Sequence, residues 1–305
     1  MRARAQLLEP TGLFSAAKGA IERFAFTPAR AEPLAALRIG LALVLLGQAA
    51  LIAPSWSELY TRSGVVPDDF AMPGVPTLGG LTRLLAPTGL GETAIFAAVS
   101  MGYLLSLVAL LLGLGTRIAA ALCWVLHLML LTTGDGTSYG ADYLAHIFLF
   151  YLLWFPSGAA LSLDRRLDRV RSGPSSSARF ALRVVQVHLC IIYLTSGVSK
   201  ALSPAWWNGS SIWRAVMMPE YRQLDFSWLA SHSWLAVVAG WAVLFVEISY
   251  AALIWPRATR RLWVLATTGL HLGIAVFMGL TVFGAVMIVF TVAAFGVSAE
   301  PRERG

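Results

Sequence analysis

The chain has 305 residues, of which 57% are hydrophobic and 13% charged, with a formal net charge of +7. Its mean hydropathy is +0.70; soluble domains carry about 25% charged residues, so this composition excludes that class and reads as a lipid-bilayer protein. The positive balance comes from arginines between apolar runs, which orient a membrane protein, and it requires no nucleic-acid partner.

Residues 1–33 read as a mixed polar cytoplasmic segment without a cleavable signal pattern. Leu13, Ala17, Ala20, Ile21 and Phe24 share one helical face there, with Lys18, Glu22 and Arg23 off it. This fits a helix lying on the inner membrane surface or an ordinary helical tail. Apolar runs then predict an all-α polytopic domain over 34–297 with about eight transmembrane helices. They fall near 34–53, 92–112, 117–133, 141–156, 180–200, 233–255, 260–279 and 281–297. The third, fourth and eighth are short for a crossing. The last two form a hairpin broken at Gly279 to Thr281, since one helix over both would be about 56 Å long against a hydrocarbon core of ~30 Å. Two long outer loops, about 54–91 and 201–232, carry Trp, Tyr, Pro and short apolar runs. They either fold back to roof an outward-facing, lysine-centred cavity, the expectation adopted for this chain, or run free. Residues 298–305 form a cytoplasmic tail.

With Arg38 set aside inside the first run, seventeen lysines and arginines fall in one alternate set of loops and five in the other. The positive-inside rule makes this a multi-pass protein of a bacterial inner membrane, with both termini cytoplasmic and Lys200 facing outward. Cys123 and Cys190 lie inside apolar runs without a Cys-x-x-Cys pattern, which reads as core packing rather than redox chemistry.

Only two of the 23 basic residues are lysines, Lys18 and Lys200. Arginine stays charged at any reachable pH, whereas a desolvated lysine can lose its proton and act as a base. Lys200 closes the fifth apolar run, so proton chemistry stands beside a plain snorkelling lysine. Tyr193, Gly197 and Lys200 share one helical stripe; Gly197 leaves room for a ligand or for a neighbouring helix. Trp206 and Trp207 either wall a flat apolar ligand or belong to an aromatic belt. His127, His146 and His271 fall at similar depth, and Asp142 stands one turn before His146, placed to orient its imidazole. These groups line a polar pocket or bond helices together. Glu247 and Arg38 are expected at inner depth as paired structural groups. No metal is expected, because no run holds a His-x-x-x-His pair with further ligands.

The stretch Tyr193-Leu-Thr-Ser-Gly-Val-Ser-Lys200, followed by Trp206 and Gly209, resembles the signature of the vitamin K-dependent gamma-carboxylase-like superfamily, the horizontally transferred transmembrane (HTTM) domain. Leu37-Arg38-Ile39-Gly40, Gly64-Val-Val-Pro67, Gly113-x-Gly-Thr-Arg117, Leu161-Ser-Leu-Asp164 and His271 with Met278-Gly279 also fit, in order, over about 34–297. The resemblance implies that Lys200 is the base of a carboxylase-like reaction, with His146, Asp142 and His271 as further catalytic candidates. It also implies a reduced vitamin K or another isoprenoid quinone as cofactor, held near Tyr193, Gly197, Trp206, Trp207 and Gly209. Where the animal carboxylase has a histidine before a Tyr-Leu pair, this chain has Gly140, Ala141 and Asp142 before Tyr143-Leu144, with His146 one turn later. The resemblance does not extend to the large luminal region through which that enzyme recognises its peptide. Compact bacterial members of the sporulation-delaying protein B type are similar in size. Enzyme, non-catalytic maturation or immunity factor for an exported peptide, with or without an accessory protein, and small-molecule transporter all stay open.

Overall fold

The computed structural model describes residues 10–61, 77–133 and 138–300, and they are helical throughout apart from turns. Gly64 to Pro67, and the outermost parts of both terminal segments, lie outside the described residues. The helices are α1 Pro10–Phe26, α2 Glu32–Ile52, α3 Trp56–Tyr60, α4 Leu78–Leu85, α5 Glu92–Leu112, α6 Thr116–Thr133 and α7 Gly140–Trp154. They continue as α8 Leu163–Arg166, α9 Ser176–Ala201, α10 Pro204–Trp207, α11 Ser210–Met217, α12 Ser233–Leu253, α13 Arg257–Met278 and α14 Thr281–Thr291.

Among the described residues, six helical stretches are long and apolar enough to cross a membrane. They are Glu32–Tyr60, Glu92–Leu112, Thr116–Thr133, Ser176–Ala201, Ser227–Leu253 and Arg257–Met278; Gly140–Trp154 and Thr281–Gly296 are shorter apolar helices. The run at 117–133, read above as short, is therefore long enough, while the fourth and eighth remain short. The first run extends beyond its expected end, because Ala53–Ser55 continues α2 as a 3₁₀ turn into α3.

The bundle core is built on α2, whose Leu34, Leu37, Leu41 and Leu45 are fully buried at helical spacing. Phe148 of α7 stacks on Phe290 of α14 at 3.6 Å, which seats both shorter helices inside the bundle. α13 and α14 pack together as the expected hairpin. Gly279 makes the break: its φ of 69° lies in the left-handed region that favours glycine. α14 then ends in a π-type turn, Val292–Gly296. Such a turn shifts the backbone hydrogen bonds, and Gln186 Nε2 donates to the Ala294 carbonyl at 2.7 Å.

Two buried polar groups hold helix ends. Arg38 donates to the carbonyls of Leu110, Leu111 (2.8 Å) and Leu161 (2.6 Å), so a guanidinium closes the C-terminal end of α5. Asp164 accepts from Gly115 N and Thr116 N, both at 2.8 Å, and from Thr116 Oγ1 at 2.7 Å, at the start of α6. Burial alone raises the Asp164 carboxyl, but these hydrogen bonds outweigh it and hold it below the ordinary carboxylate range. Gly113-x-Gly-Thr-Arg117 and Leu161-Ser-Leu-Asp164 are thus the two halves of one structural turn.

Candidate functional site

Lys200 ends α9 and meets Glu247 of α12. Its Nζ donates to Glu247 Oε1 at 2.5 Å, to Glu247 Oε2 at 2.6 Å and to Ser196 Oγ at 2.9 Å. An ammonium has three N–H donors, so all three are used inside the protein. The Trp206 ring lies 5.3 Å from Nζ, a cation–π distance. Glu247 is buried and the Lys200 side chain is 24% exposed. Glu247 thus pairs with a polar group as expected, and the pairing sets it level with Lys200: α9 and α12 run antiparallel, and the segment after α9 lets α12 begin well beyond Lys200.

Gly197 is what brings the pair together. A Cβ there would sit 2.8 Å from Ile248 Cγ1, 3.0 Å from Ile248 N and 3.1 Å from Glu247 Cβ. Of the two occupants read above for this space, a ligand or a neighbouring helix, the α12 backbone fills it, a close helix approach of the small-residue kind. Two turns deeper, about 10 Å along α9, Tyr193 is buried and stacks on Tyr250 at 4.0 Å. Its hydroxyl meets His271 Nε2 at 2.8 Å and Thr291 Oγ1 at 3.3 Å. His271 therefore joins Tyr193 rather than Lys200 directly.

The other expected residues form a separate group. His127 and His146 stack with ring centroids 5.5 Å apart and Nδ1 atoms 3.4 Å apart, and Trp124 stacks on His146. Asp142 does not orient His146. Its carboxylate accepts from Gln48 Nε2 at 2.6 Å and from Tyr139 N at 3.0 Å, which caps α7 instead. Beside these residues lies a cavity of about 230 Å³. Gln48, Tyr60, Tyr103, His127, Tyr139 and Asp142 supply its polar lining, and Leu45, Ile52, Trp56, Leu59, Leu130 and Val282 supply apolar walls. Lys200 is not in this lining, so the cavity is not lysine-centred.

Of the two long loops, the first contributes Trp56, Leu59 and Tyr60 to the cavity. The second packs on α12 instead: Trp241 Nε1 donates to the Trp207 carbonyl at 3.0 Å, and Trp207 Nε1 to the Ala201 carbonyl at 2.7 Å. Gly209 is buried in a left-handed turn against the Ala236 and Val237 backbone. Trp207 and Gly209 thus anchor the segment, and of the aromatic pair Trp206 alone faces the lysine. The two polar groups adjoin across the start of α14, where Val282 lines the cavity and Phe283 packs edge-on against His271.

A family model, the HTTM domain, matches residues 80–298, which is most of the chain. The chain belongs to the HTTM domain family. No curated protein and no solved structure matches it. In this HTTM domain the signature stretch ending at Lys200 carries the ion pair, and its Gly197 and Trp206 are the residues that shape the surroundings of Nζ. Sequence reasoning missed Glu247 as the partner of Lys200, and Gln48, Tyr60 and Tyr103 as cavity walls. Glu247 and Tyr250, at i and i+3 on an apolar helix, were the available signal, a match for the Lys200 and Tyr193 stripe.

Proposed function

We propose that the protein is a carboxylase-like membrane enzyme of the HTTM family in which Lys200 and Glu247 handle a proton and the polar cavity receives a lipophilic quinone. The observation that carries the reading is the buried carboxylate of Glu247 clasping Lys200 within a membrane helix. Intramembrane ionisable pairs are costly and mark proton or ligand sites.

A cavity of about 230 Å³ exceeds the roughly 150 Å³ hollow that takes a benzene ring. Its walls suit a flat ring, and Gln48, Tyr60 and His127 suit hydrogen bonds to quinone oxygens. When bound, a reduced quinone would supply electrons for reaction with oxygen. The residues of the chain do the rest. Leu130, Trp56 and Val282 exclude water; Tyr103 and Asp142 hold the polar edge. As an ammonium Lys200 has no lone pair and cannot accept a proton. The proton first moves to a Glu247 oxygen, which frees the Nζ lone pair. The dyad, rather than the lysine alone, is the base.

A second reading is favoured by the same saturation of Lys200: the pair only joins α9 to α12, and the protein acts without catalysis as a maturation or immunity factor for an exported peptide. Purified chain in nanodiscs separates the two when given a reduced naphthoquinone and oxygen, with binding read by tryptophan quenching and turnover by quinone epoxide. The enzyme reading expects binding and epoxide in the wild type, and binding without epoxide in Lys200→Arg. Undiminished epoxide in Lys200→Arg removes the dyad's role, and absence of binding removes the cofactor.

A further inference from the structure

The arginine-rich end of the bundle holds a second cavity, of about 840 Å³, between the starts of α9 and α13 and the residues that follow α14. Arg179, Arg183, Arg257, Arg260 and Arg261 line it, and Glu300 is the one carboxylate among its lining residues. Arg179 is buried, with Nε on the Thr27 carbonyl at 2.8 Å and Nη2 3.7 Å from Glu300. Arg183 is fixed by its Nε bond to the Phe24 carbonyl at 3.0 Å and by lying 4.2 Å over the Phe24 ring. Arg257 and Arg261 are exposed and make no hydrogen bond or ion pair among the described residues.

This concentration of charge is unfavourable as it stands. Like charges crowd one hollow, and Arg179 and Arg257 do so in the first turns of α9 and α13, where the backbone dipole already disfavours cations. Arginines that serve only to orient the chain need to lie on this side; they need not converge on a cavity, and Arg179 need not be buried. An anion relieves both penalties, and a guanidinium fork matches phosphate oxygens two at a time. The cavity also has an apolar wall, Leu182, Val264 and Phe295, continuous with Leu265 on the outward face of α13.

We propose that this cavity binds the phosphate of an anionic phospholipid headgroup, with an acyl chain running along Leu265. A soluble phosphate would satisfy the guanidiniums and leave the apolar wall unused. Basic pockets between membrane helices are suited to such headgroups. The site is independent of the Lys200 pair and of any reaction there.

The test uses the purified full chain, with phosphatidylglycerol, phosphatidylcholine and inorganic phosphate as probes, read by native mass spectrometry and by the thermal unfolding midpoint. Phosphatidylglycerol is expected to be retained and to raise the midpoint, phosphatidylcholine to do neither, and a large excess of phosphate not to displace the lipid. The double variant Arg257→Gln/Arg261→Gln should bind phosphatidylglycerol on the order of thirtyfold more weakly, the weight of two basic residues near an anionic headgroup. Equal retention of both lipids, displacement by phosphate, or undiminished binding in the variant each overturns the proposal. The headgroup comparison is made on the wild type, so it decides even if the variant fails to insert.

Discussion

At the scale of single residues, the Lys200–Glu247 pair is the most vulnerable feature, a buried carboxylate held by one amine. Its attraction must offset the desolvation of two charges, so removing one partner is far worse than removing both. Lys200→Met and Glu247→Leu should each lower stability by about 3–5 kcal/mol, measured by denaturant unfolding in detergent micelles. The double variant should recover most of that loss. If the double variant folds and the protein still turns over a quinone, the pair is a structural clasp and nothing more. Gly197 supplies a subtler probe. Alanine there meets Ile248 and Glu247 within 3.1 Å, and the helices must part, at a cost of about 1–3 kcal/mol. The readout is a loosened ion pair, seen as faster exchange of the Lys200 protons by NMR of lysine-labelled protein; an unchanged exchange rate would mean that α12 tolerates the methyl.

At the scale of elements, two helix ends are satisfied by charged side chains from elsewhere in the chain. Arg38 reaches from α2 to the last carbonyls of α5, and Asp164 reaches to the first amides of α6. Arg38→Met leaves those carbonyls buried without a donor, at roughly 1–3 kcal/mol for each group, so the unfolding midpoint should fall sharply. Asp164 sets a pH dependence. Its carboxyl in the folded chain lies below the ordinary range, so its stabilisation is fully present above the unfolded carboxyl's pKa, near ~4. It is lost as pH falls through the lower folded value. Wild-type protein should therefore lose stability in acid relative to pH 7, and Asp164→Asn should be weaker at pH 7 and lack that part of the acid slope. Parallel acid profiles for the two proteins would contradict the capping role.

At the scale of the whole molecule, distant parts of the chain meet at one end of the bundle. Ala29 and Ser175 exchange backbone hydrogen bonds at 3.1 and 2.9 Å, and Arg30 N donates to the Ala299 carbonyl at 2.9 Å. Both ends of the bundle domain, and the segment before α9, therefore lie on the same side, which requires an even number of crossings between them. Single cysteines at Ser172 and Ser298 should react with a membrane-impermeant maleimide from one face, and at Thr88 from the other. The native Cys123 and Cys190 are buried and add little background. Labelling of Ser172→Cys and Ser298→Cys from opposite faces would exclude this arrangement.

Hydropathy and a glycine stop are local properties of the chain, so the membrane class and the helical hairpin at Gly279 are legible before any contact is known. The sequence also carried the HTTM signature. It could not determine which helices neighbour one another. Asp142 and His146 look like partners at one-turn spacing, yet a side chain on α2, Gln48, takes the carboxylate, and His127 on α6 takes the imidazole. Gly197 reads equally as an opening or a contact until α12 is laid against it. Glu247 and Lys200 stand far apart when each is placed along its own helix, and the turns after α9 shift α12 by a length no local pattern records. Within a bilayer nearly every side chain is apolar, so periodicity does not tell core from lipid. Only the packed bundle decides which polar groups meet, since each buried one must find its partner across helices.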